Sequence, residues 1–248
     1  ILLKIAGKCI SEERHLLPCK NIFQPDQGVA HFVAANSEDI NQAILFLSKS
    51  EQTQWDIDGS FRQKTLQKVS IELQNHRAEL ICTAMKTIGK GVADLDAEVS
   101  EAIGFINYYP QAMTYFQKNY PHIVFEKKGL VLILSPWNFP IAIPAGGITA
   151  ALATGNRVLI KPSPYSLLAT WKLVKLFWKA GVPSSALQFI PCKDEDAPLL
   201  TQNPKIDQVI FTGSAGTADK ILSKRPNLEL SGETSGKNFF IVTDAADK

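Results

Sequence analysis

The sequence predicts an α/β protein, a doubly wound parallel sheet preceded by an N-terminal helical layer. Three observations carry this. Residues 130–134 are an apolar run of strand length, stopped by Ser135 and Pro136, because proline cannot donate to a central ladder. Residues 141–153 read as a helix closed by Gly155 and Asn156, which tolerate a left-handed cap, and 157–160 as a second buried strand ended by Pro162. Strand, turn, helix and strand make a βαβ unit, and beyond it the same alternation continues to the end of the chain.

Before that unit, residues 1–35 alternate irregularly, and only 29–34 read as a strand. Asn36 and Ser37 can cap a helix in which Ile40, Ala43, Ile44 and Leu47 follow helical spacing. Further helices are expected from Ser60, over 77–88 up to Gly89, and over about 94–109, where Leu95, Val99, Ala102, Ile103 and Ile106 share one face. Residues 1–120 are thus read as a mainly helical layer. Tyr108, Tyr109, Tyr115, Phe116 and Tyr120 either pack on the sheet or a neighbouring subunit, or line a substrate entrance. Residues 122–126 read as a short strand, and 121–129 as a bridging or oligomerisation segment.

After the opening unit, helices are expected over 167–180, near 194–201 and from Ser214 to about Ser223. Strands are expected over 187–190, 208–211, 228–230 and 239–242. Residues 130–248 form the βαβ core of this reading.

The composition narrows the function classes. A formal net charge of +2 with scattered charges gives no reason to expect a nucleic-acid or membrane partner, and no apolar run reaches bilayer length. Residues 1–10 lack the long apolar core of a signal peptide. The chain opens on Ile1 rather than Met, so the natural N-terminus is expected elsewhere. Cys9, Cys19, Cys82 and Cys192 form no CxxC pair; no metal site and a reduced, cytoplasmic setting are expected.

Sites in open α/β sheets lie at the carboxyl ends of the strands. Asn138 follows the first central strand, and Lys161 and Ser163 close the second. The dinucleotide fingerprint GxGxxG is absent. Its physical substitute is Phe211-Thr212-Gly213-Ser214: Gly213 permits a tight turn, and Ser214 opens a helix whose free N–H groups favour a pyrophosphate. Many α/β turns contain a Gly-Ser pair without binding anything. Glu233, set among Ser231, Gly232, Thr234, Ser235 and Gly236, is either a general base or an exposed turn acid. Asn138 is either an oxyanion donor or a turn residue.

Taken in order, Ser135-Pro136-Trp137-Asn138-Phe139-Pro140, Gly155-Asn156 leading to Lys161-Pro162-Ser163, Phe211-Thr212-Gly213-Ser214, and Glu233 with Gly236-Lys237 resemble the aldehyde dehydrogenase superfamily. The resemblance covers most of the chain. It implies a Rossmann-like sheet of the aldehyde dehydrogenase type and NAD(P)-dependent oxidation of an aldehyde to an acid. It makes Asn138 the oxyanion donor and Glu233 the general base. Leu134, Ser135, Pro136, Trp137, Lys161, Ser163, Gly213, Ser214 and Thr234 become cofactor contacts.

The run from Glu233 to Asn238, the segment from Asp96 to Ile103 with Tyr108-Tyr109, residues 187–192, and Gly146-Gly147 resemble the Δ1-pyrroline-5-carboxylate (glutamate γ-semialdehyde) dehydrogenases. That branch includes the dehydrogenase module of bifunctional proline-utilisation enzymes, and so leaves open a fusion to a proline dehydrogenase module. It implies oxidation of L-glutamate γ-semialdehyde to L-glutamate, a homo-oligomer, and NAD, with NADP not excluded. Another aldehyde such as succinic semialdehyde, or a non-catalytic nucleotide-binding module, is the alternative.

The sequence departs from the family pattern at Pro164, where many members place a ribose-binding glutamate, and at Ala218, where a glycine is frequent. The family's nucleophilic cysteine lies a few tens of residues beyond the glutamate, whereas this chain stops at Lys248, and none of its four cysteines has the right context. The chain is therefore expected to be the cofactor-binding half, without the catalytic domain and without turnover of its own.

Overall fold

The computed structural model describes residues 1–10, 15–49 and 51–247. It opens with two antiparallel hairpins rather than helices. β1 (Leu3–Ile5) pairs with β2 (Lys8–Ile10) across a turn in which Ala6 and Gly7 both adopt positive φ. β3 (Leu16–Asn21) pairs with β4 (Gln24–Val33), so the strand expected at 29–34 is only the end of a longer one. The alternation looked irregular for two reasons. The ladder shifts register between Cys19 and Asn21, and the first half of β4 is exposed on both faces, which removes the apolar–polar contrast.

The helical layer follows. α1 (Ser37–Lys49) starts at a reciprocal cap: Asn36 Oδ1 accepts from the Asp39 N–H, and the Asp39 carboxylate accepts from the Asn36 N–H, both at 2.9 Å. α2 (Gln54–Ile57) is a single turn that buries Trp55, and α3 (Gly59–Asn75) and α4 (Arg77–Ile88) come next. α5 (Val92–Asn119) runs ten residues past the expected stop at 109. Pro110 sits inside it; proline costs one backbone donor but does not end a helix that packing holds on both sides.

The core is β5 (Leu130–Ser135), α6 (Ala142–Ala153), β6 (Arg157–Pro162), α7 (Leu167–Lys179), β7 (Leu187–Phe189), α8 (Ala197–Thr201), β8 (Gln208–Gly213), α9 (Ala215–Lys224) and β9 (Glu229–Thr234). The five strands form one parallel sheet in the order β7-β6-β5-β8-β9. Side chains alternate between its faces. Val131 and Ile133 join a core with α3 to α7, whereas Leu130 and Leu132 join a second core with β1, α1 and α9. α6 is apolar all round because it lies between α5 on one side and the sheet on the other, with most of its residues buried. It ends as expected: Gly155 takes φ 81°, its N–H bonds Leu152 O at 3.1 Å, and the Asn156 N–H bonds Ala151 O at 3.0 Å.

Two expected strands do not form. Residues 122–126 pair with no strand among the described residues, and Val124 is 82 % exposed. Residues 239–242 leave the sheet after β9, and Phe240 is fully exposed. Apolar composition marks a segment that can be buried, but a strand needs a neighbouring edge, and among the described residues neither segment joins a sheet.

Candidate functional site at the carboxyl edge of the sheet

Sheet register brings the expected residues to one edge. Leu134 pairs with Lys161 and with Phe211, Ser135 with Pro162, Thr212 with Glu233, and Gly213 with Thr234. β5 and β8 are neighbours whose connections leave in opposite directions along the sheet, towards β6 and towards β9. Their carboxyl ends therefore border a switch-point crevice, where open α/β sheets bind ligands.

The turn after β5 is tied down through its backbone. Ser135 O accepts from the Ser163 N–H at 3.1 Å, Pro140 O accepts from Thr170 Oγ1 at 3.2 Å, and Asn138 O accepts from Lys90 Nζ at 3.2 Å. Trp137, Asn138 and Phe139 are exposed, and the Asn138 carboxamide bonds no other described residue. Ser135 is buried and its Oγ has no hydrogen-bond partner among the described residues. An orphaned buried hydroxyl at a strand end is costly unless a ligand supplies the partner.

Lys161 is 6 % exposed, and its ammonium pairs with the Asp194 carboxylate. Ser163 precedes a single 3₁₀ turn, Pro164–Ser166. Across the crevice Ser214 caps α9: its Oγ accepts from the Thr217 N–H at 3.2 Å. A Cβ on Gly216 would meet nothing within 4 Å, so the first turn of α9 is open to an approaching group. An orphaned serine hydroxyl, a buried cation and an open helix N-terminus suit the polar half of a dinucleotide.

Glu233 is exposed and borders a cavity of ≈ 400 Å³ shared with Phe105, Tyr109, Gly146, Gly147 and Thr212. Burial, with the charges of Tyr108 and Glu233 adding, pushes the Tyr109 phenol above its usual range. The four cysteines are free. Burial holds Cys19 up at about 11 and Cys192 up at about 12, so neither is an activated thiol. Among the described residues no group of His, Cys, Asp and Glu could hold a metal ion. None of the described helices is long and apolar enough to cross a membrane.

The aldehyde dehydrogenase family model matches residues 11–248. This chain belongs to the aldehyde dehydrogenase family. It is 30 % identical over 244 residues to the bifunctional protein PutA of Klebsiella aerogenes, covering 94 % of this chain and 18 % of that protein. It is 26 % identical over 245 residues to the 1-pyrroline-5-carboxylate dehydrogenase of Bacillus pumilus, covering 92 % of this chain and 48 % of the relative. Among solved structures, PutA from Bdellovibrio bacteriovorus superimposes with a TM-score of 0.88 at 26 % identity, over 96 % of this chain and 26 % of that one. The 1-pyrroline-5-carboxylate dehydrogenase from Thermus with bound NAD gives 0.87 at 27 %, over 95 % and 49 %. The chain thus spans about half the length of such dehydrogenases and less than a fifth of the bifunctional relative.

Sequence reasoning passed over three residues at this edge. Asp194 was one of several exposed acids in a short helix. Lys90 stood in a loop between helices. Glu98 carried a readable signal, because it lies between Leu95 and Ala102 on the inward stripe of α5, where a carboxylate must find partners.

Proposed function

We propose that this chain is the cofactor-binding half of an NAD-dependent dehydrogenase that oxidises L-glutamate γ-semialdehyde to L-glutamate. One observation carries the proposal: the register of a single parallel sheet sets Ser135, Lys161, Gly213 and Glu233 at neighbouring strand ends, with Asn138 and Ser214 in the adjoining turns. The aldehyde is assigned from the names of the relatives and the motifs shared with that branch.

In this reading Lys161 and Ser163 hold the ribose side of the cofactor, and Ser214 with the start of α9 holds the pyrophosphate. Leu134, Ser135, Pro136, Trp137, Gly213 and Thr234 line its path. The bound nicotinamide supplies a hydride acceptor. Asn138 donates its side-chain N–H to the oxygen that gains charge when the aldehyde carbon becomes tetrahedral, a contact worth about 3 kcal/mol. Glu233 takes a proton from the water that releases the acid. The nucleophilic thiolate comes from the catalytic half, since Cys19 and Cys192 are buried and Cys9 and Cys82 lie on β2 and α4. Assembly into a homo-oligomer, fusion to a proline dehydrogenase module and a cytoplasmic setting with reduced thiols belong to the same proposal.

Calorimetric titration of the 248-residue chain with NAD tests the first part. Micromolar to submillimolar binding that Ser214→Asp abolishes is expected, and no binding of either nucleotide would overturn the reading. NAD is expected to bind more tightly than NADP; the reverse would contradict the cofactor assignment. The second part is tested in the full-length protein that carries this sequence. Glutamate γ-semialdehyde should give the highest kcat/KM among small aldehydes, and preference for succinic semialdehyde would reassign the substrate. The isolated chain should reduce no NAD with either aldehyde.

A further inference from the structure

Lys90 lies in the loop between α4 and α5, just after Gly89, whose φ of 72° turns the chain. Its ammonium has three donors and three partners. It bonds Glu98 Oε2 at 2.7 Å and Asn138 O at 3.2 Å, and it stands 3.5 Å from the centroid of the Phe139 ring. Glu98 is 1 % exposed. Its other oxygen accepts from the Ile141 N–H at 2.8 Å and the Ala142 N–H at 3.1 Å, the opening of α6. One ammonium–carboxylate pair, with Glu98 buried and Lys90 half-buried, therefore holds the Trp137–Phe139 turn at its middle and at the helix it leads into, and Pro136 and Pro140 restrict φ on either side.

We propose that Lys90 and Glu98 are positioning residues that set the direction of the Asn138 carboxamide. The inference rests on the proposed role of Asn138 as oxyanion donor. The Asn138 side chain is exposed and bonds no other described residue, so its backbone sets the position and the Cα–Cβ direction from which the amide reaches. That backbone is held at the carbonyl by Lys90. Without the ammonium, the turn keeps its prolines and its bonds at Ser135 and Pro140, but its apex is released. A donor displaced by about an ångström loses much of its effect on a transition state while contributing little to cofactor binding.

The test compares Lys90→Met, Asn138→Ala and the double variant in the full-length protein that carries this sequence, with NAD and glutamate γ-semialdehyde. Lys90→Met keeps the length of the side chain and removes the charge. It is expected to lower kcat about tenfold or more, with KM for NAD within about twofold, and to add nothing in the Asn138→Ala background. Should Lys90→Met fail to fold, Glu98→Gln takes its place. It keeps an acceptor for α6 but turns an amide toward Lys90, and it should show the same kcat loss without a change in KM. Loss of rate in Asn138→Ala with full rate in Lys90→Met, or losses that multiply in the double variant, would overturn the positioning role alone. Full rate in Asn138→Ala would overturn the functional reading and this inference together.

Discussion

The Phe105 ring lies 3.1 Å from the place a Cβ on Gly146 would occupy. α5 and α6 therefore approach as closely as they do because Gly146 has no side chain, and Phe105 fills the space over it. The next residue, Gly147, permits a similar approach of α6 to Ile133 and Ile210 of the sheet. Gly146→Leu is expected to overpack this contact and destabilise the chain by about 2 kcal/mol in urea denaturation. Phe105→Ala in the same chain should recover most of that loss. Equal stability of Gly146→Leu and the wild type would show that the helices can separate freely.

At the opposite edge of the sheet, Asp56 and Arg157 join α2 to the start of β6. Arg157 Nη2 stands 3.1 Å from Asp56 Oδ2, and the Asp56 side chain is 2 % exposed. Burial opposes ionisation of Asp56, but bonds from Arg157 and Thr53 override it and bring the carboxyl down to about 2 from 3.8. A depressed folded value contributes stability above the unfolded value, lost as pH falls through the folded one. The contribution should thus be complete above about pH 5 and fade between about pH 4 and 2. Asp56→Asn should cost about 3 kcal/mol at pH 7 and flatten that acid limb; an unchanged limb would assign it to other groups.

Lys161 is expected to act on the cofactor through its charge. Lys161→Met should raise the NAD dissociation constant about tenfold, the scale of one charge-assisted hydrogen bond. Asp194→Asn should change it less than about threefold, because the Asp194 side chain is 73 % exposed and such pairs contribute little. A larger effect from Asp194 than from Lys161 would mean that the carboxylate itself meets the ligand.

Thiol chemistry separates the cysteines into two pairs. Cys9 and Cys82 are exposed, whereas burial raises Cys19 and Cys192 so far that almost no thiolate is present at neutral pH. Iodoacetamide should modify Cys9 and Cys82 in the native chain and all four cysteines in guanidinium, as read by intact mass. Rapid native labelling of Cys192 would contradict its burial in the core that holds Leu159, Ile190 and Leu200.

Much of this fold could be read locally. The βαβ unit from β5 to β6 was legible because its punctuation is chemical: Pro136, Gly155 and Pro162 restrict backbone or remove donors wherever they occur. The candidate site was legible as a set of strand ends for the same reason. The β3–β4 hairpin was not, because a bulged ladder whose second strand is exposed on both faces over its first half carries little period-2 signal.

The sequence by itself determined the alternation of strands and helices, the edge of the sheet that carries Asn138, Lys161, Ser214 and Glu233, and the family pattern those residues follow. Tertiary structure alone decided which strands lie side by side, that Lys161 faces Asp194, and that a carboxylate on α5 and an ammonium after α4 meet the turn holding Asn138. The difference is one of range. Propensity, caps and proline act over a few residues, whereas Lys90 and Asn138 stand 48 residues apart and meet only once packing has closed the layers.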